Sequence, residues 1–157
     1  MSELDPRRAS ESGDAPIEPP AALLAFLELF ERGEYWESHE ALEGPWRANR
    51  SALYKGLILY ASAWVHWQRG NAHGVKAQLQ KAREHLAVYP DRYLGIDVES
   101  VRAHCGEAQA RVARGAGWEA DVRPRALRVE PSWIRGDEAE LISEGEPKRR
   151  GPPPTLS

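Results

Sequence analysis

Residues 51–70 read SALYKGLILYASAWVHWQRG, and the rest of the architecture can be worked out around them. Leu53, Leu57, Ile58, Leu59, Tyr60, Trp64, Val65 and Trp67 point in nearly every direction of a 3.6-residue repeat. A helix that is apolar on all sides must be buried on all sides. Its longest strongly apolar run, Gly56 to Trp67, spans 12 residues and contains Ser62 and His66. A bilayer crossing needs about 20. The segment is therefore expected as the central helix of a bundle, running from about Ser51 or Leu53 to Arg69, with Gly56 permitting a close helix crossing.

The flanking segments keep the helical period. Leu23, Phe26, Leu27 and Phe30 fall at i, i+3, i+4 and i+7, and Gly33 supplies a left-handed stop, which predicts a first helix over Ala21 to Arg32. A second helix, about Tyr35 to Arg47, carries Tyr35, His39, Leu42 and Trp46 on one stripe and Trp36, Glu40, Glu43 and Arg47 on the next. Pro45 lies inside it, lacks an amide donor and crowds the carbonyl of Ala41, so a kink or an early end is expected there. Beyond Gly70, Asn71 can cap a fourth helix over Ala72 to Val88, closed by Pro90. Asp97 can cap a fifth, Val98 to about Ala113, with Val101, Cys105, Ala108 and Val112 facing inward. No stretch alternates as a strand would. The fold class is all-α, a single bundle of about five helices over residues 21–117.

Composition agrees with a domain held between polar flanks. Of the 12 prolines in 157 residues, 10 lie in residues 1–20 or 118–157. Residues 1–20 are expected as a disordered arm and 118–157 as a mostly extended or disordered tail. Trp118, Val122, Leu127, Val129, Trp133, Leu141 and Ile142 are too apolar for a pure spacer, so part of that tail is expected to lie on the domain or on a partner. The net charge of -3 resides in the flanks, because residues 21–117 hold 12 basic and 11 acidic side chains. No basic stripe marks a nucleic-acid surface, and no membrane segment is present. A single cysteine, Cys105, excludes a disulfide framework and a Cys-rich zinc site. Met1 to Ser10 lacks the apolar stretch of a signal peptide, so a cytoplasmic location is expected.

Chemistry concentrates in residues 33–43, GEYWESHEALE. The stretch contains HExxE, one residue away from the zinc motif HExxH, in which two histidines one turn apart bind the metal and the intervening Glu serves as base. Here the pair one turn apart is His39 and Glu43, a nitrogen and a carboxylate, with Glu40 as the candidate general base. A third divalent-metal ligand has to come from another helix, and His66 is the candidate. With antiparallel second and third helices, His39 and His66 miss in height by more than a turn, a gap partly recovered because helical side chains lean toward their N-termini. Glu43 faces Lys55 by the same arithmetic and can instead form an ion pair with it. Tyr35, Trp36 and Lys55 border the cluster as candidate ligand-binding side chains. Trp36, Trp46, Trp64 and Trp67 are expected first as core and second as a binding cage, whereas His85 and His104 are expected to be exposed. No phosphate loop, nucleophile elbow or CxxC is present.

Residues 33–43 followed by Trp46, then Lys55-Gly56-Leu57-Ile58, His66, Gly70-Asn71 with Gly74, and Gly95-Ile96-Asp97, closely resemble the bacterial and archaeal family called domain of unknown function 309. The resemblance extends from about Leu23 to Asp97. It implies a small multihelical bundle with a buried central helix, and it carries the label of a predicted metal-dependent hydrolase, which falls on His39, Glu40, Glu43 and His66. The chain departs from the family pattern at Lys55 and Leu59, where glutamines are common, and at Gly44-Pro45, where ordinary helix formers stand. Three functional readings are thus open. The His/Glu cluster is mainly structural and holds at most a small ligand or metal; it is a metal-dependent hydrolase site; or the domain is a non-catalytic module that binds a protein partner or a second copy of itself.

Overall fold

A computed structural model of the chain describes residues 18–136 and 138–143. Most of the expected N-terminal arm and the last residues of the expected tail lie outside this range. The order of elements is α1 (Ala21–Glu31), α2 (Tyr35–Asn49), α3 (Ala52–Gln68), α4 (Ala72–Leu86), β1 (Arg92–Tyr93), β2 (Ile96–Asp97), α5 (Val98–Val112), the short α6 (Trp118–Asp121), a 3-10 turn (Pro131–Trp133) and α7 (Glu138–Ser143). The all-α architecture expected from the sequence is present, with each helix packed mainly on its neighbours in the chain and α3 in the middle.

Eleven of the 17 residues of α3 are buried, and Leu53, Leu57, Ala61, Ala63 and Trp64 are fully inaccessible. The Phe30 ring of α1 stacks on Tyr60 at 5.7 Å, so α1 also reaches the central helix. A Cβ at Gly56 would stand 2.6 Å from Leu86 Cδ2, which is why this crossing of α3 and α4 takes a glycine. The start of α3 is fixed by two caps. Ser51 Oγ accepts from the Tyr54 amide at 3.2 Å, and the Tyr89 hydroxyl accepts the Leu53 amide at 2.7 Å.

Two local expectations change. Pro45 does not end α2, which runs on to Asn49 with Leu42 before the proline and Asn49 after it both buried. The helix stops instead at Arg50, which adopts the left-handed conformation at φ 57° and donates its amide to Trp46 O. Secondly, a minimal antiparallel hairpin, Arg92↔Asp97 and Tyr93↔Ile96, precedes α5. Strands of two residues are too short to show alternation in a sequence.

The segment after α5 straps back over the bundle. Trp118, Val122, Ile134 and Ile142 are buried, Trp67 Nε1 donates to Val122 O at 2.9 Å, and Val129 bridges to Ile96. Arg92 lies over the Trp133 ring at 3.9 Å, and Glu138 accepts the Leu94 amide at 3.0 Å. The apolar residues noted in the tail are what anchors it.

Beneath this strap lies His104, which the structure buries although the sequence reading expected it exposed. Its Nδ1 pairs with the Tyr60 hydroxyl at 2.6 Å and its ring stacks on Trp64 at 5.4 Å. Burial first, and then the Arg125 guanidinium, lower its pKa to about 4. Tyr60 is in turn pushed up by burial, so the pair is neutral on both sides and its shared proton is a plain hydrogen bond.

Candidate functional site

The HExxE face of α2 is partly open to solvent. His39 keeps 16% of its side chain exposed and stacks on Trp36 at 5.1 Å, with the rings 26° apart. Trp36 itself is 50% exposed, so of the four tryptophans expected in the core this one is a surface residue. It lies on the stripe beside the buried one, next to Glu40, which is also exposed. His39 Nε2 is 3.8 Å from Glu43 Oε2, and Arg47 reaches the same oxygen at 3.7 Å. Both separations are longer than a hydrogen bond, and partly exposed pairs one helical turn apart contribute only about 0.3–0.5 kcal/mol each. His39 Nδ1 is buried without a partner.

Tyr35 opens the helix and packs edge-on to Phe30 at 5.0 Å, where burial raises its hydroxyl pKa. Its ring serves as a wedge between α1 and α2. Ser38, fully buried on the inner side, donates its hydroxyl to Tyr35 O at 2.8 Å.

His66 is engaged elsewhere. Asn71 Nδ2 donates to its Nδ1 at 3.0 Å, which leaves the ring proton on Nε2. Any Cβ at Gly74 would collide with the imidazole, so the ring rests directly on the first turn of α4. Burial, then the Arg69 charge, lower its pKa. Gln68 Nε2 reaches Gly33 O at 3.4 Å, which sets the end of α3 beside the turn that opens α2. Among the described residues, no three His, Cys, Asp or Glu side chains come together in a way that could hold a metal ion. His39 and Glu43 are thus brought together by their shared helix, and His66 is not joined to them.

Lys55, the third bordering candidate, does not pair with Glu43. Its ammonium lies over the Trp46 ring at 4.4 Å from the centroid, and Arg50 lies over the same ring at 4.5 Å. The three residues form one wall of a cleft of about 380 Å³ whose other wall is α4, through Glu84, His85 and Val88. His85 is half-buried there, and its Nδ1 lies 3.0 Å from Lys81 O, so that nitrogen carries the proton and Nε2 is left as an acceptor. The sequence placed Lys55 and, as a possible cage, Trp46. It gave no sign of Arg50, whose backbone is left-handed and whose side chain lies back over the indole.

The family profile described as Domain of unknown function (DUF309) matches residues 23–77. Over those residues the chain is similar to the DUF309 family. No curated protein matches the chain. The DUF309 match covers α1, α2, α3 and the first turns of α4, a shorter span than the resemblance from Leu23 to Asp97 suggested. Trp46, Arg50 and Lys55 fall inside the DUF309 segment, while Glu84, His85 and the strap lie beyond it. No helix among the described residues is long and apolar enough to cross a membrane.

Proposed function

We propose that this domain is a non-catalytic helical module that works by binding, and that His39, Glu40 and Glu43 hold and solubilise α2 rather than carry out hydrolysis. The observation that supports this most is the commitment of His66 to Asn71 and Gly74 on the first turn of α4. Two ligands on one helix, with no third among the described residues, do not make the three-ligand site that metal-activated water needs. Glu40 is solvent-exposed, with no enclosed pocket around it in which a substrate would be held against its carboxylate.

Two variants test the reading. Glu40→Gln should leave the unfolding free energy within about 0.5 kcal/mol of the parent, as for any exposed substitution. His39→Ala should cost only about 1 kcal/mol, because the lost stacking on Trp36 is partly offset by removal of a buried, unpartnered nitrogen. Urea unfolding of both measures this. Hydrolysis of a carboxylic or phosphoric ester that requires added zinc or manganese, and that either substitution abolishes, would overturn it.

A further inference from the structure

We propose that the cleft between the α2–α3 turn and α4 is a binding site for a small organic anion with a flat apolar body, an aromatic carboxylate in chemical class. This goes beyond, and rests on, the reading that the domain acts by binding. Three observations point to it.

The first concerns charge. Arg50 and Lys55 both lie over the face of one indole, so their charges are no further apart than the two ring distances combined. Neither cation has a carboxylate partner among the described residues. Two like charges held on one ring without a counter-ion leave a positive field at the cleft mouth that an anion neutralises. Arg50 offers a planar fork suited to a carboxylate, and Lys55 a point charge beside it.

The second is the hollow itself. At about 380 Å³ it lies within the range of small-ligand sites, and Trp46, Ala52 and Val88 give it apolar surface against which a ring can pack. An inorganic anion would use the charges and leave that surface wet. Glu84 on the opposite wall disfavours a ligand that is negative at both ends.

The third is backbone conformation. Arg50 takes φ 57° and ψ 28°, a conformation that glycine adopts without cost and arginine does not. A side chain kept at a position where glycine is easier is the pattern expected when that side chain has work to do. Asn49, buried, accepts the Ser51 amide at 2.9 Å and fixes the turn around it.

The closing experiment is an NMR titration of the full-length, ¹⁵N-labelled chain with benzoate, benzyl alcohol and inorganic phosphate as probes. Trp46→Phe identifies the relevant indole signal. Benzoate should give saturable shifts at the Trp46 indole and along residues 84–88, with benzyl alcohol and phosphate each about tenfold weaker, the scale of one lost charge-assisted contact. Lys55→Met, which keeps the aliphatic stem, and Arg50→Gly, which suits the backbone, should each weaken benzoate about tenfold while the remaining spectrum stays folded. Equal binding of benzyl alcohol, equal binding of phosphate, unchanged affinity in both variants, or no saturable shift would each overturn the assignment. The ester-hydrolysis assay is independent of these readouts, so an empty cleft and a catalytic α2 are distinguishable results.

Discussion

Taking the protein from pH 7.5 to pH 5 should remove about 2 kcal/mol of folding stability through one side chain, His104. Its pKa is about 4 in the folded chain, against 6.5 for an ordinary histidine, because burial and then Arg125 oppose the charged form, helped by Arg111 and countered by Glu107 and the Arg123 backbone. Between those two values the unfolded chain takes up a proton that the folded chain refuses. Stability is therefore constant above about pH 7, falls as the pH drops through 6.5 toward 4, and stops changing on this account below 4, where both states are protonated. The full loss approaches about 3 kcal/mol at 1.36 kcal/mol per unit. Urea titrations at pH 7.5 and 5 of the parent and of His104→Gln measure it, since the difference between the two proteins removes the other histidines. A parent and variant that lose the same stability would show that His104 is not the group responsible. The strap makes this matter to the fold, because Arg123 and Arg125 belong to the segment that covers His104.

Trp64→Ala should be the most damaging single truncation, at about 3–5 kcal/mol. Trp64 is wholly buried and touches Tyr60, Trp67 and His104, so its loss opens a void where α3, α5 and the strap meet. Trp64→Phe should cost far less. A phenyl ring keeps most of the aromatic volume packed against Tyr60, Trp67 and His104. Thermal melts of the two variants compare these effects, and an alanine variant that melts with the parent would mean that the aromatic junction does not hold the bundle together.

Much of this molecule was legible in its sequence, and the parts that were not have physical causes. The all-round apolarity of α3 named the central helix, and Asn71 and Asp97 marked the starts of α4 and α5 by the caps they form, each accepting an amide three residues on at 3.0 Å. His104 was misplaced, although it falls three residues after Val101 and four before Ala108, on the same inward stripe. Residue type had outweighed position, because an imidazole can be buried when a partner such as Tyr60 arrives from 44 residues away. Trp36 erred in the opposite direction, since an aromatic beside a core stripe can stack on its own helix at the surface. Pro45 carried the strongest local signal for a helix end and was overridden by packing of the following turn, with Leu42 and Asn49 buried on either side. For the site, HExxE correctly put His39 and Glu43 within reach of each other, since spacing within one helix is rigid. The position of His66 depended on the register between helices, which Gln68, Gly74 and Asn71 set and which no spacing rule contains.

The proposal that α2 carries no metal centre is tested most directly by metal analysis of the chain purified without a histidine tag, followed by calorimetric titration with zinc and manganese. The geometry predicts less than stoichiometric metal and no saturable one-to-one binding that depends on His39. One tightly bound metal per chain, lost in both His39→Ala and His66→Ala, would contradict it and return HExxE to a catalytic role.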